Sequence, residues 1–175
     1  KNYNPHNIND LLLAHKYITF ELLPNAGKFR NGDVGVFDSK GNVVHIGARP
    51  EYIKQEMKKI FNWIKTSNMH PIIKSCVFHF EIEFIHPFED GNGRIGRLWQ
   101  TVLLTNYNQI FEYIPIETII YKNQRKYYDA LNKSSKNNDS TTFIKFMLNT
   151  ILNAFDNLED NLNVIERDIL SLIEA

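Results

Sequence analysis

The sequence predicts an all-α fold that carries one small β-hairpin. Apolar residues recur at helical spacing in several stretches, whereas β-prone runs on either side of a turn occur in one region only. The chain lacks the regular alternation of strands and helices that a parallel sheet requires. With 43% hydrophobic residues and 12 phenylalanines in 175 residues, it can build the packed core of one domain.

The N-terminal half is predicted to hold three helices and the hairpin. The first helix ends where Pro24 and Gly27 interrupt the apolar spacing, and the second begins at Pro50, a residue suited to a first helical turn. The turn of the hairpin is predicted at residues 38–41. The predicted elements are a helix over 7–23, strands over 34–37 and 42–46, and helices over 50–66 and 71–85.

The C-terminal half is predicted to be helical, with breaks at Pro87, at Pro115 and in a polar linker over 133–140. Its helices are predicted over 94–107, 124–131, 142–155 and, as a separate tail, 161–175. We therefore expect a domain over residues 1–155, with a core of about 7–155, and a helical tail over 156–175 that begins a following domain, such as a winged helix. Because the chain starts at Lys1 rather than Met, we expect a fragment of a longer protein.

The charge balance and the cysteine count exclude several classes of protein. Lys plus Arg and Asp plus Glu both number 20, so the formal charge is 0 and nucleic acid is not an expected partner of this domain. The single Cys76 rules out an intrachain disulfide and a cysteine-rich zinc site, which fits a reducing compartment. No apolar run approaches the roughly 20 residues needed to span a bilayer, so we expect no membrane span and a cytoplasmic location.

The segment His86–Arg97 concentrates residues that suit chemistry on phosphates. Its glycines let backbone N–H groups approach a ligand, and the helix that follows adds partial positive charge, which together favour an anion. The Asp90 carboxylate suits Mg²⁺, and Arg94 and Arg97 share one face of the first helical turn. His86, at the edge of the loop, titrates near neutral pH. This combination indicates phosphoryl or nucleotidyl transfer.

Four other interpretations of the segment compete with this one. The segment has no P-loop pattern, and an EF-hand fails because its sixth and twelfth positions are Ile95 and Thr101. His79, Glu83 and His86 lie on one helix face and suggest a metal triad, although His79 in so apolar a helix suits a hydrogen-bonded core histidine better. The remaining alternative is a glycine-rich helix–helix turn with solvent-facing arginines.

The segment resembles the motif of the Fic family, His-x-Phe-x-(Asp/Glu)-Gly-Asn-Gly-Arg-x-x-Arg, at every fixed position. The resemblance extends over about residues 7–155, including the hairpin, the helix after Pro50 and the segment 127–131. It implies a helical domain whose hairpin forms a flap over the active site. The matching residues are His86, Phe88, Asp90, Gly91, Asn92, Gly93, Arg94 and Arg97.

The resemblance implies an enzyme that transfers AMP from ATP to a Ser, Thr or Tyr hydroxyl of a target protein and releases pyrophosphate. By position, His86 would be the catalytic base, and Asp90 would hold the Mg²⁺ that bridges the α- and β-phosphates. The three residues after Asp90 would form the anion hole. Arg94 would contact the β-phosphate and Arg97 the γ-phosphate, while Phe88 would anchor the loop.

The resemblance also assigns roles outside the motif. The target protein would dock along the flap by strand addition, and Tyr127 and Tyr128 would line the pocket for the nucleotide base. The flap residues assigned to the site are Asn42, Val43, Val44 and His45.

The resemblance leaves the exact reaction and its regulation open. Gly93 favours AMP transfer, because phosphate-transferring relatives carry Lys there, but transfer of UMP, GMP or phosphocholine, removal of AMP, and a non-catalytic role stay as alternatives. The family's inhibitory pattern, (Ser/Thr)-x-x-x-Glu-(Gly/Asn), has no match, since Ser171–Glu174 is one residue short. Three possibilities remain open: inhibition by a missing N-terminal segment, inhibition by a separate antitoxin protein, or no inhibition. A homodimer also remains open.

Overall fold

The computed structural model of the chain describes residues 3–37, 41 and 43–173. Helices dominate it, and the sheet found within these ranges is a two-stranded antiparallel hairpin. The prediction of an all-α fold with one hairpin is confirmed. In chain order the elements are α1 (Ile8–Ile18), β1 (Gly35–Phe37), β2 (Val43–Ile46), α2 (Pro50–Thr66), α3 (Pro71–Ile85), α4 (Asn92–Tyr107), a 3₁₀ helix (Gln109–Glu112), α5 (Ile116–Lys122), α6 (Gln124–Asn137) and α7 (Thr141–Ile173).

Helices α3 and α4 form the centre of the molecule because each packs on two sides. Phe78 and Ile82 of α3 and Trp99 of α4 lie in a cluster shared with α1 and α2. Phe80 of α3 and Leu104 of α4 lie in a second cluster shared with α5, α6 and α7. A helix that is apolar on all sides is typical of a buried central element. The loop between α3 and α4 packs into the first of these clusters through Phe88.

Helix α1 ends at Ile18 rather than at the predicted residue 23. The Thr19 hydroxyl and the Thr19 N–H both donate to the His15 carbonyl, at 2.7 and 3.1 Å, which closes the last turn. Glu21 then takes a positive φ of 62° and turns the chain away. Leu22, which continued the helical spacing, is 64% exposed and does not belong to a buried face.

The C-terminal half departs most from the sequence-based expectation. The predicted linker over 133–140 is wrong for most of its length, because α6 continues to Asn137, and the buried Ser134 accepts a hydrogen bond from the Phe143 N–H at 3.0 Å. The tail predicted as a separate helix over 161–175 is continuous with α7 as far as Ile173. The division into residues 1–155 and 156–175 stays a prediction.

The hairpin pairs β1 with β2 through Gly35–Ile46, Val36–His45 and Phe37–Val43, with an irregularity between Val36 and Phe37. Such a bulge increases the local twist of the strands. Among the described residues, none of the helices combines the length and the apolar content that crossing a bilayer demands.

The single cysteine is part of the core and not of the surface. Cys76 is fully buried in α3, and the side-chain amide of Gln100 lies 3.5 Å from its sulfur. Burial raises the pKa of the Cys76 thiol to about 12.

Candidate active site

His86 occupies the carboxyl end of α3 in a left-handed backbone conformation, with φ 52° and ψ 60°. This conformation costs a non-glycine residue free energy, so the neighbours of His86 must hold it there. Its side chain is half-buried, and Nδ1 lies 3.3 Å from the carbonyl oxygen of Glu83. Because a carbonyl only accepts, this bond places the proton on Nδ1 and leaves the lone pair on Nε2.

The surroundings of His86 favour its neutral form. Burial lowers the pKa of the His86 imidazole below its ordinary value, and the electrostatic effects of His45 and Arg30 act in the same direction, while the nearby Glu83 partly opposes them. The rings of His45 and His86 lie 6.4 Å apart. A neutral imidazole with a free Nε2 is the form that a general base requires at neutral pH.

The loop after His86 is anchored by a residue far away in the sequence. The ring of the fully buried Phe88 stacks on the His15 imidazole, with centroids 3.7 Å apart and planes at 7°. His15 Nε2 donates to the Asp90 carbonyl at 2.9 Å, and His15 Nδ1 accepts from the Gly27 N–H at 3.0 Å. Burial lowers the pKa of His15, which fits this neutral tautomer. The loop is thus held against α1.

Asn92 closes the loop from within. Its Oδ1 accepts from the Phe88 N–H and its Nδ2 donates to the Phe88 carbonyl, both at 2.9 Å. The side chain is therefore committed to the loop backbone, and Asn92 can meet an anion only through its own N–H. As the first residue of α4, it begins the turn whose N–H groups lack helical partners.

The charged residues of the motif converge on this helix start. The Asp90 side chain is 68% exposed, and its Oδ2 lies 3.3 Å from Arg94 Nη2. Arg94 also donates to the Ile18 carbonyl at 3.0 Å, and Arg97 Nε donates to Glu117 Oε1 at 2.9 Å. Both guanidinium groups are partly exposed and oriented by fixed partners, as a site for phosphate oxygens requires.

The two glycines of the loop leave room that other residues would fill. Gly91 has a φ of +84°, which favours glycine. A Cβ at Gly93 would lie 3.1 Å from Arg97 Nη1 and 3.3 Å from Glu83 Oε1. A side chain at position 93 would therefore displace the Arg97 guanidinium.

A pocket of about 100 Å³ adjoins Arg97 and includes both tyrosines assigned to the nucleotide base. Tyr128 is exposed, whereas the Tyr127 hydroxyl is buried and donates to Glu83 Oε1 at 3.0 Å. Glu117, in the unpredicted helix α5, is a lining residue that the sequence pattern missed. The complete lining is Arg97, Glu117, Ile120, Tyr121, Gln124, Tyr127 and Tyr128.

The hairpin lies next to α3. His45 Nε2 donates to the Phe84 carbonyl of α3 at 2.7 Å, and the two rings are 5.3 Å apart. Val43 is exposed on the same strand. Of the other predicted flap residues, Val44 belongs to β2 by its backbone, and Asn42 lies outside the described residues.

The suggested metal triad on α3 is not formed. His79 is fully buried, its Nδ1 donates to Gln100 Oε1 at 2.7 Å, and its Nε2 lies 2.9 Å from the Tyr127 hydroxyl. No group of three metal-binding side chains occurs among residues 3–37, 41 and 43–173. Burial alone would raise the pKa of Glu83, but its hydrogen bonds and electrostatic interaction with His79 and its hydrogen bond with the Tyr127 hydroxyl hold the pKa below its ordinary value. The interpretation of His79 as a core histidine is confirmed.

Comparisons with known proteins agree with this arrangement. The family model described as Fic/DOC family matches residues 5–104. The chain is 28% identical over 144 residues to the "Protein adenylyltransferase Fic" of Nematostella vectensis and 31% identical to that of Drosophila ananassae, and covers 31% and 27% of those proteins with 80% of its own length.

A solved structure is similar over nearly the whole chain. The crystal structure of a Fic family protein from Desulfovibrio desulfuricans G20 aligns with a TM-score of 0.86 and 37% identity, over 91% of this chain and 49% of that one. The chain thus spans about three tenths of the curated relatives' length and half of this structural neighbour. The family match covers more than half of the chain and includes the whole loop between α3 and α4, so the chain belongs to the Fic/DOC family.

Proposed function

We propose that the protein is an adenylyltransferase that moves AMP from ATP onto a hydroxyl of a target protein. The observation that carries the proposal is the convergence of His86, the first turn of α4 and the two motif arginines on one loop. The relatives' name, protein adenylyltransferase, supports the same activity. The chain spans only part of the length of those relatives, so the proposal rests on the geometry of this site and on the direct test given below.

The donor set suits Mg²⁺ bound together with the triphosphate. The exposed Asp90 carboxylate offers one hard oxygen ligand, and Mg²⁺ is commonly held by one or two carboxylates together with substrate phosphates and water. A bound Mg²⁺ would neutralise part of the phosphate charge and orient the α- and β-phosphates. For Asp90 to serve as a ligand, its 3.3 Å contact with Arg94 would lengthen as Arg94 turns to the β-phosphate.

The proposed transfer gives a role to each residue that converges on the loop. The target's hydroxyl oxygen attacks the α-phosphorus while its proton passes to His86 Nε2, whose lone pair is free because Nδ1 is bound to Glu83. The bond between the α-phosphorus and the bridging oxygen breaks, and pyrophosphate leaves with the electron pair. The N–H groups at the start of α4 would stabilise the phosphate charge, and little covalent work falls to the protein in such a transfer.

The same geometry supports a proposed position for the nucleotide and one for the target. Arg97 would exchange its bond with Glu117 for a γ-phosphate oxygen, and the base would enter the adjoining pocket beside Tyr127 and Tyr128. An extended segment of the target would pair with the free edge of β2, where Val43 offers an exposed apolar side chain. We also propose a cytoplasmic setting, which the single cysteine fits because the chain can form no intrachain disulfide.

The test uses ATP labelled on either the α- or the γ-phosphate, incubated with lysate proteins, Mg²⁺ and the chain. Label transferred from the α-phosphate alone is expected. Replacing His86 by Ala is expected to slow transfer about 10²–10⁴-fold, because the general base is lost, while ATP affinity is retained. His6→Ala, at an exposed histidine, is the matched control and should transfer normally.

Two results would overturn the proposal. Label that arrives from the γ-phosphate only when the chain is added would mean phosphorylation instead. Near-normal transfer by the His86→Ala protein would remove the base from its role.

A further inference from the structure

Arg30 is a buried cation, and the hydrogen bonds of its side chain to the described part of the chain all go to backbone carbonyls. The residue is 4% exposed. Its Nε donates to His86 O at 2.7 Å, its Nη1 to Gly32 O at 2.6 Å, and its Nη2 to Ala48 O at 2.5 Å and more weakly to Ile85 O at 3.4 Å. Only the planar guanidinium has enough donors in a fixed fork to join so many carbonyls. Burying a charge costs free energy, which hydrogen bonds must offset. The position of Arg30 is therefore a costly feature of the fold, and its bonding partners indicate what it does.

The bonds to Ile85 O and His86 O matter most, because these two carbonyls belong to the peptide planes on either side of the His86 Cα. The plane that contains Ile85 O sets φ of His86, and the plane that contains His86 O sets ψ. Arg30 donates to both, and its own N–H donates to Pro87 O at 3.0 Å. The guanidinium therefore fixes the left-handed conformation that carries the imidazole out of the helix.

The position of Arg30 also completes the end of α3. The last carbonyls of a helix have no partner within it and carry partial negative charge, so a cation there is stabilising. Here Phe84 O accepts from His45 Nε2 at 2.7 Å, and Ile85 O accepts from the Ala48 N–H at 3.0 Å as well as from Arg30. The flap strand and Arg30 thus close the helix end together.

Gly47 shows how closely these groups are packed. A Cβ at this position would lie 2.6 Å from Arg30 Nη2 and 3.0 Å from the Cβ of His86. Gly47, which follows β2 and forms the base of the flap, therefore lies directly against both Arg30 and His86. Only glycine fits this contact without displacing its neighbours.

We infer that Arg30 is a positioning residue: it holds the backbone of His86 so that the imidazole faces the α-phosphorus, and it joins that backbone to the base of the flap. The inference rests on the proposed role of His86 as the base. Arg30 acts through His86 and does not itself touch the substrate.

The test compares Arg30→Lys with Arg125→Lys. Lysine keeps the charge but cannot bridge the carbonyls, while Arg125 is 95% exposed on α6 and serves as the matched control. In single turnovers at saturating MgATP, Arg30→Lys is expected to slow transfer at least about tenfold, because misplacement of a reacting group is costly. Its dissociation constant for ATP should stay within about threefold of the parent value, since the phosphate contacts remain.

A second readout does not depend on catalysis. The backbone ¹³C shifts and the HN–Hα coupling of His86 report its positive φ, and they should lose that signature in Arg30→Lys but not in Arg125→Lys. If the parent chain transfers no AMP, the proposed function fails, yet these measurements still decide the role of Arg30. Should Arg30→Lys not fold, Gly47→Ala disturbs the same contacts from the flap side and is expected to give the same pattern.

Three results would overturn the inference. The first is transfer by Arg30→Lys within about threefold of the parent rate. The second is an unchanged His86 conformation in the variant. The third is an equal loss of ATP affinity and of transfer, which would indicate a general loss of structure.

Discussion

Replacing Gly91 by alanine tests how tightly the loop is held against α1. Gly91 has a φ of +84°, and a Cβ there would lie 2.9 Å from Thr19 Cγ2 and 3.3 Å from His15 Nε2. A left-handed conformation costs an alanine roughly 1–2 kcal/mol relative to glycine. Because contacts under 3.0 Å are not tolerated, Thr19 or the loop must also move.

The hydrogen bond of Thr19 adds a second contribution to the loss of stability, beside the backbone cost at position 91. Its side chain is fully buried and its hydroxyl donates to His15 O at 2.7 Å, so rotating the methyl group away breaks this bond. The loss of one such bond adds about 1 kcal/mol. The Gly91→Ala protein is therefore expected to lose about 2–3 kcal/mol of unfolding free energy, as the sum of the two contributions.

Urea denaturation followed by circular dichroism measures this loss, and two other glycines separate its causes. Gly41 has a similar φ of +80°, but no atom of the described residues lies within 4 Å of its added Cβ. Gly32 has neither a positive φ nor such a neighbour within 4 Å. Gly41→Ala should lose about 1–2 kcal/mol, from the backbone alone, and Gly32→Ala no more than about 0.5 kcal/mol. A loss in Gly91→Ala no larger than that in Gly41→Ala would refute the packing described here.

Three further predictions concern the same site. Because burial lowers the pKa of His86, the transfer rate should be constant near pH 7 and fall on the acid side with a midpoint below 6.5, and a pH–rate midpoint above 6.5 would contradict this. The negative charge of Glu83 raises the pKa of His86 against the larger effect of burial, and Glu83→Gln removes that charge. The midpoint of the pH–rate profile should therefore move to lower pH. A midpoint that stays in place or moves to higher pH would count against this prediction. Asn92→Ala leaves the buried N–H and C=O of Phe88 without partners and should cost about 2–4 kcal/mol in urea denaturation, and a loss under 1 kcal/mol would contradict the geometry.

The helices with strong local signals could be read from the sequence. Helices α2 and α3 have the predicted bounds, because a proline at the first position of each fixes the start. Helix α5 was missed because it has only seven residues and follows Pro115, which reads as a break. The end of α6 was placed too early because polar side chains at Lys133–Asn137 suit a linker, although the helix is stabilised there by packing against α7.

The site divides in the same way. The motif residues could be found because they lie within twelve positions of one another, and the chemistry of their types is evident. The residues that hold them are distant in the chain: Arg30 is 56 positions from His86, His15 is 75 from Asp90, and Glu117 is 20 from Arg97. No spacing rule connects such pairs, and only the folded chain brings them together.

The burial of Cys76 has a practical consequence for following the flap. With a thiol pKa of about 12 and no exposed surface, this cysteine is inert to maleimides near neutral pH. A cysteine introduced at the exposed Val43 would therefore be labelled alone, without removal of the native one. The emission of a fluorophore attached there would report the binding of a peptide to the hairpin, and the interior of the protein would be unaltered.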